Sequence, residues 1–229
     1  MYKSNRMKYL YTLLLAAAVT PAFAQTAPAA KSSLNYNRIA VGYSSDDILK
    51  GYNVTGSALL GNAFIVSGIY DDVKTKGQAF GGPISGLSGK LSGFGLAYKL
   101  NVGPGDLSLG YFYKTGTVYG SVESGYSSTV ASAEQKGFGL KYRQAINQSF
   151  EFSVGYTRLT TKLGFVTVAP SATPGFYLFR ADDIDENANV FDLSARYNIT
   201  KNIDVTLDYA FKNQNSGGNK VGVSVGYNF

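Results

Sequence analysis

Alternation of apolar with small or polar residues recurs in short segments along the chain from about residue 34 to its last residue. It is clearest at the end, where Val221, Val223, Val225, Tyr227 and Phe229 alternate with Gly222, Ser224, Gly226 and Asn228. A period of two describes a strand with one apolar face. The same period predicts strands over residues 34–44, 52–60, 63–71, 91–100, 107–116, 136–144, 149–160, 190–198, 203–212 and 220–229. Each is close to the ~9–11 residues that a tilted strand needs to cross a hydrocarbon layer. Residues 63–71 are the one segment without a readable phase, because Phe64, Val66 and Tyr70 and the alternate Ile65 and Ile69 are all apolar.

The connections alternate in length. Residues 61–62, 101–106, 145–148 and 199–202 are short, whereas 45–51, 72–90, 117–135, 161–189 and 213–219 are longer. Short turns on one side and longer loops on the other are the layout of a transmembrane antiparallel up-and-down β-barrel. An all-β barrel of about ten strands is therefore expected over residues 33–229, with both termini on the periplasmic side. Eight and twelve strands are the alternatives. Twelve would follow if 161–189 held a further hairpin built on Phe165, Val166 and Val168 and on Phe176, Tyr177 and Phe179; Val118, Tyr119 and Val122 could instead extend their neighbouring strands.

Residues 7–24 have a basic start, a short apolar run from Leu10 to Val19 and small residues at Ala22 and Ala24. This pattern predicts a secretory signal peptide over residues 1–24, cut before Gln25, followed by a flexible leader over 25–32. Composition changes meaning once that segment is set aside. The 21 basic and 15 acidic residues give a net charge of +6, but Lys3, Arg6 and Lys8 belong to the signal. No Lys/Arg cluster remains to support a nucleic-acid partner. Cysteine is absent, which excludes disulfides and thiolate metal sites. The 18 Tyr and 14 Phe, without Trp, suit rings that sit half in lipid and half in water.

The alternation also assigns an inward face. It carries many glycines and the charges Arg38, Lys99, Lys114, Lys141, Arg143, Glu151, Asp192, Arg196, Asp204 and Asp208. A charge on the lipid side would cost about 2–4 kcal/mol near the midplane, so inward placement is the stable one. Opposite signs fall on neighbouring strands. Two readings follow: a salt-bridge core that fills a narrow lumen, or a charged constriction for small solutes.

Histidine is absent as well. Without His or Cys, the Ser-His pair and thiolate nucleophiles are unavailable, and no catalytic role or cofactor is expected. Asp182, Asp183, Asp185 and Glu186 form the one acidic cluster, in a stretch read as a loop, and lack the glycine and ligand spacing of an EF-hand. Phe176, Tyr177, Phe179 and Arg180 in the same stretch are candidates for contact with an extracellular ligand.

Ile39-Ala-Val-Gly-Tyr-Ser44, Phe94-Gly-Leu-Ala-Tyr98, Phe138-Gly-Leu-Lys-Tyr142, Phe152-Ser-Val-Gly-Tyr156 and Val223-Ser-Val-Gly-Tyr-Asn-Phe229 together resemble the small opacity-type and OmpA-like outer-membrane barrels. The resemblance covers nearly all of residues 33–229 and implies adhesive, structural or narrow-pore roles in the outer membrane. It implies partners in membrane lipid, lipopolysaccharide and the barrel-assembly machinery, which reads a terminal aromatic signal here matched by Tyr227 and Phe229. Those families have eight strands, fewer than the alternation gives. No wall-binding domain is expected after Phe229, so the wall-anchoring role is not carried over.

Overall fold

The computed structural model describes residues 34–46, 49–75, 84–122, 128–170, 177–213 and 219–229. The signal peptide and leader expected over 1–32, and Phe176, lie outside the described residues. Ten strands form one closed antiparallel barrel: β1 (Arg38–Ser45), β2 (Leu49–Leu60), β3 (Phe64–Thr75), β4 (Ile84–Val102), β5 (Gly105–Val122), β6 (Ser128–Ala145), β7 (Phe150–Pro170), β8 (Tyr177–Asn198), β9 (Ile203–Asn213) and β10 (Lys220–Asn228). Each pairs with its neighbours in sequence, and β10 closes on β1 with Arg38 opposite Asn228 and Ser45 opposite Val221. Neither eight nor twelve strands is found.

The barrel has two unlike ends. At one, the strands are joined by tight turns built on local chemistry. Gly61 and Gly103 adopt φ of 63° and 59°, which favours glycine, and Gly103 is followed by Pro104. In the next turn Asn147 Oδ1 accepts from the backbone N–H of Ser149 and Phe150, each at 2.9 Å. Thr200 Oγ1 does the same for Asn202 and Ile203 at 3.2 and 3.0 Å. At the other end β4 to β8 run on for 18–22 residues and form a wall that overtops the shorter strands.

That wall corrects the expected loops. The 161–189 stretch is not a loop. Val166 pairs with Ala181, Val168 with Phe179 and Pro170 with Tyr177, so these residues lengthen β7 and β8 rather than add a hairpin. The β-branched run in 165–168 makes the extension favourable. Residues 117–122 and 128–135 likewise extend β5 and β6. Of the expected 72–90 loop, residues 72–75 belong to β3 and 84–90 to β4. The first strand is shorter than the expected 34–44, because residues 34–37 leave the ladder and turn into the lumen.

Burial is inverted relative to a soluble domain. Leu96, Val225 and Leu207 are more than half exposed, while the largest fully buried side chains are Asp106 and Asp204. The phase of β3 resolves the same way: Phe64 and Tyr70 face out, and Ile65 lines the interior. Aromatic contacts border the apolar band on both sides. Phe64 and Tyr98 meet at 5.3 Å toward the tight turns, and Tyr43 and Tyr52 at 5.2 Å toward the tall wall. Amphipathic rings at two levels fit the two faces of a hydrocarbon slab.

Candidate functional site: a polar floor and the cavity above it

Residues 34–37 cross the lumen at the tight-turn end. Tyr36 donates its hydroxyl to Asp106 Oδ2 on β5 at 2.9 Å, nearly opposite β1 in the barrel. Its carbonyl accepts from Ser57 on β2 at 2.7 Å. The Asn35 carbonyl accepts from Arg143 at 3.3 Å and Arg196 at 3.4 Å. The Arg143 guanidinium lies over the Tyr36 ring, 4.4 Å from its centroid, in a cation–π contact. The segment thereby becomes a strap tied to β2, β5, β6 and β8.

Below and around the strap, charges alternate in sign from strand to strand. Lys99 on β4 pairs with Asp106 on β5 at 3.3 Å. Arg143 on β6 pairs with Glu151 on β7 at 2.7 Å. Arg196 on β8 bridges Glu151 at 3.4 Å and Asp204 on β9 at 2.8 Å. Arg38 on β1 grips Asp204 through two bonds, at 3.0 and 2.6 Å. Asn228 on β10 completes the arc, accepting from Arg196 at 2.6 Å and donating to Asp204 at 2.9 Å. Charged hydrogen bonds of this geometry are the strong ones, and each member holds the next in its rotamer. Inside this shell, burial chiefly pushes the Tyr36 hydroxyl well above the usual phenol range. Arg143 opposes that shift and the Asp106 carboxylate adds to it.

Two further pairs stand higher in the lumen. Lys141 reaches Asp192 at 3.2 Å and Lys114 reaches Asp71 at 2.7 Å. Above the strap lies a cavity of about 560 Å³, lined by Tyr36, Arg143 and Arg196 at one end and by Ser44, Lys220 and Gly222 toward the other. Asp208 also lines it and has no ion-pair partner among the described residues.

The structure thus gathers Arg38, Lys99, Arg143, Glu151, Arg196 and Asp204 into one connected arc, and it keeps Lys141 with Asp192, and Asp208, apart from it. Sequence reasoning missed Asp106, Asp71, Tyr36 and Asn228. Asp106 fell in an expected turn and Asp71 in the strand without a phase. Tyr36 and Asn228 share the even parity of Arg38 and Ser224, which was the available signal. Tyr177, Phe179 and Arg180 lie in β8, opposite Pro170, Val168 and Thr167, not in a loop. Asp182, Asp183, Asp185 and Glu186 are on the same strand, and Asp185 pairs with Lys162 at 3.7 Å. No group of metal-binding side chains is found among the described residues. Tyr227 sits between Ile39 and Ile203, and the Phe229 N–H donates to the Asn37 carbonyl at 3.1 Å.

No protein-family model and no curated protein matches the chain. Solved structures similar to it include the translocator domain of the autotransporter NalP from Neisseria meningitidis, at 11% identity and TM-score 0.48, covering 99% of this chain and 98% of that one. An outer membrane channel from Pseudomonas putida F1 matches at 10% identity and TM-score 0.47, covering 90% and 100%. The KdgM porin matches at 10% identity and TM-score 0.39, covering 84% and 99%.

Proposed function

We propose that the chain is an integral outer-membrane barrel with a closed lumen, tight turns and both termini in the periplasm, and a structural or adhesive, non-catalytic role carried by its tall outer wall. The observation that supports it best is the floor. Tyr36 and the Asn35 carbonyl occupy the middle of the lumen, and seven charged side chains pair around them at 2.6–3.4 Å. A ten-strand barrel leaves only slightly more interior than an eight-strand one, which side chains nearly fill. The apolar outer band supports membrane insertion, since burying it against hydrocarbon is worth roughly 25 cal/mol per Å².

The cavity above the strap favours a second reading, a narrow channel for small solutes that opens when the strap moves. Planar-bilayer conductance of the refolded chain separates the two. The closed reading expects no steady conductance in the intact chain; large, stable, ion-selective steps would overturn it.

A further inference from the structure

On the outer face, one cross-strand pair runs against the charge pattern. Lys50 of β2 stands directly opposite Lys74 of β3. Both continue the outward alternation of their strands, through Val54 and Tyr52 on β2 and through Tyr70 and Asp72 on β3. Opposite residues in an antiparallel pair have Cβ atoms about 4.5–5.5 Å apart, and like charges there are destabilising. Among the described residues the nearest outward carboxylate, Asp72, is opposite Tyr52 on one side and Lys90 on the other. Neither Lys50 nor Lys74 has an ion-pair partner among the described residues. Elsewhere on the outer face Lys136 pairs with Glu134 at 3.8 Å and Lys162 with Asp185 at 3.7 Å, while Lys90 has no ion pair among the described residues.

The position of the two lysines gives the clash a meaning. They lie one outward step beyond Tyr52, which packs on Tyr43 at the wall-side border of the apolar band. Lipid headgroups lie at that level if the barrel spans a bilayer. We propose that Lys50 and Lys74 form a site for the phosphate of an anionic lipid headgroup, an inference that rests on the membrane-spanning reading above. A phosphate has acceptor oxygens enough for both ammonium groups, and one bound between them replaces repulsion by two charge-assisted contacts. Tyr52 beside it offers its ring to the upper acyl chain.

The test uses the refolded mature chain in vesicles of phosphatidylcholine, with and without phosphatidylglycerol, and reads the urea midpoint of unfolding. Insertion is checked in every arm by co-flotation and protease resistance. The wild type is expected to gain stability when the anionic lipid is added, and K50Q/K74Q to lose about half of that gain or more. K136Q/K162Q removes an equal charge from two lysines that already have carboxylates, and should gain like the wild type. In pure phosphatidylcholine K74Q should be at least as stable as the wild type, because the repulsion is relieved. Equal gains in wild type and K50Q/K74Q, or an equal loss in K136Q/K162Q, would overturn the site. A shift produced by dissolved inorganic phosphate in pure phosphatidylcholine would overturn the lipid assignment. Failure of the chain to insert at all would instead overturn the membrane-spanning reading on which the site rests.

Discussion

Arg38 reaches Asp204 over the top of an intervening strand, from β1 across β10 to β9, and Gly226 is the residue it crosses. A Cβ at Gly226 would overlap the guanidinium. The device is repeated: Lys141 on β6 reaches Asp192 on β8 over Gly155 on β7, whose missing side chain leaves room for the carboxylate. Glycine weakens a strand, but at these two positions it lets a charge pair lie flat against the wall.

Gly226→Val is therefore expected to push Arg38 off Asp204 and to lower stability by about 1.5–3 kcal/mol, the range for a hydrogen bond to a charged group. Gly222→Ala is the control, since a Cβ there meets nothing nearer than 3.6 Å. Urea unfolding in vesicles reads both; equal losses would mean that any side chain added on the inner face of β10, not the broken pair, is responsible.

Arg196→Ala should cost more. Arg196 is the one cation shared by Glu151 and Asp204, and its removal leaves both carboxylates buried with fewer partners. Breaking such a pair typically costs about 3–5 kcal/mol. Adding Glu151→Gln to Arg196→Ala should return part of that loss, because one of the stranded charges is gone. The double variant falling below the single one would count against a shared cation.

Alkaline pH should loosen the strap through Tyr36. Its folded pKa is raised above the ordinary phenol value of 10.0, so above that pH the folded state holds a proton that the unfolded chain gives up. The stability it contributes is complete below pH 10 and falls as pH climbs toward the raised value. Tyr36→Phe should lose about 1 kcal/mol at neutral pH, the ordinary worth of one hydrogen bond, and show a shallower decline above pH 10 than the wild type. Parallel declines would assign the alkaline effect to other tyrosines.

Leu207→Arg places a charge on the outer face, where Leu207 is 56% exposed. It should cost about 2–4 kcal/mol in a bilayer. Ser67→Lys, at a position that lines the cavity, should cost far less. The two variants behaving alike in vesicles would contradict an outward band buried in lipid.

How much of this was legible in the sequence depended on which faces a strand shows to lipid. Where one face is hydrocarbon-bound, as in Ile203–Phe211 and Val221–Phe229, the period of two is strict and the strands were placed within a residue or two. Where β7 and β8 rise beyond the apolar band, lipid no longer selects one face. Asp182 to Glu186 then read as a loop although they pair in register with Thr161 to Phe165. The charged arc was half visible for a related reason. Parity put Arg38, Glu151, Arg196 and Asp204 on the inner face, but parity cannot say that the chain before β1 folds back, so the central place of Tyr36 appeared only in three dimensions.

The arc of alternating charges has a bearing on how the first and last strands find each other. Sliding β10 by two residues against β1 would leave every apolar side chain facing lipid, so the greasy pattern alone accepts the wrong alignment as readily as the right one. The polar floor does not. A two-residue slip carries Gly226 and Asp204 away from Arg38, and so brings a bulkier inward side chain under that guanidinium and strips it of its carboxylate. The seam behaves like a keyed lock: a mis-set barrel keeps unmatched pins inside and can reopen, whereas the correct setting drops them all at once and stays shut.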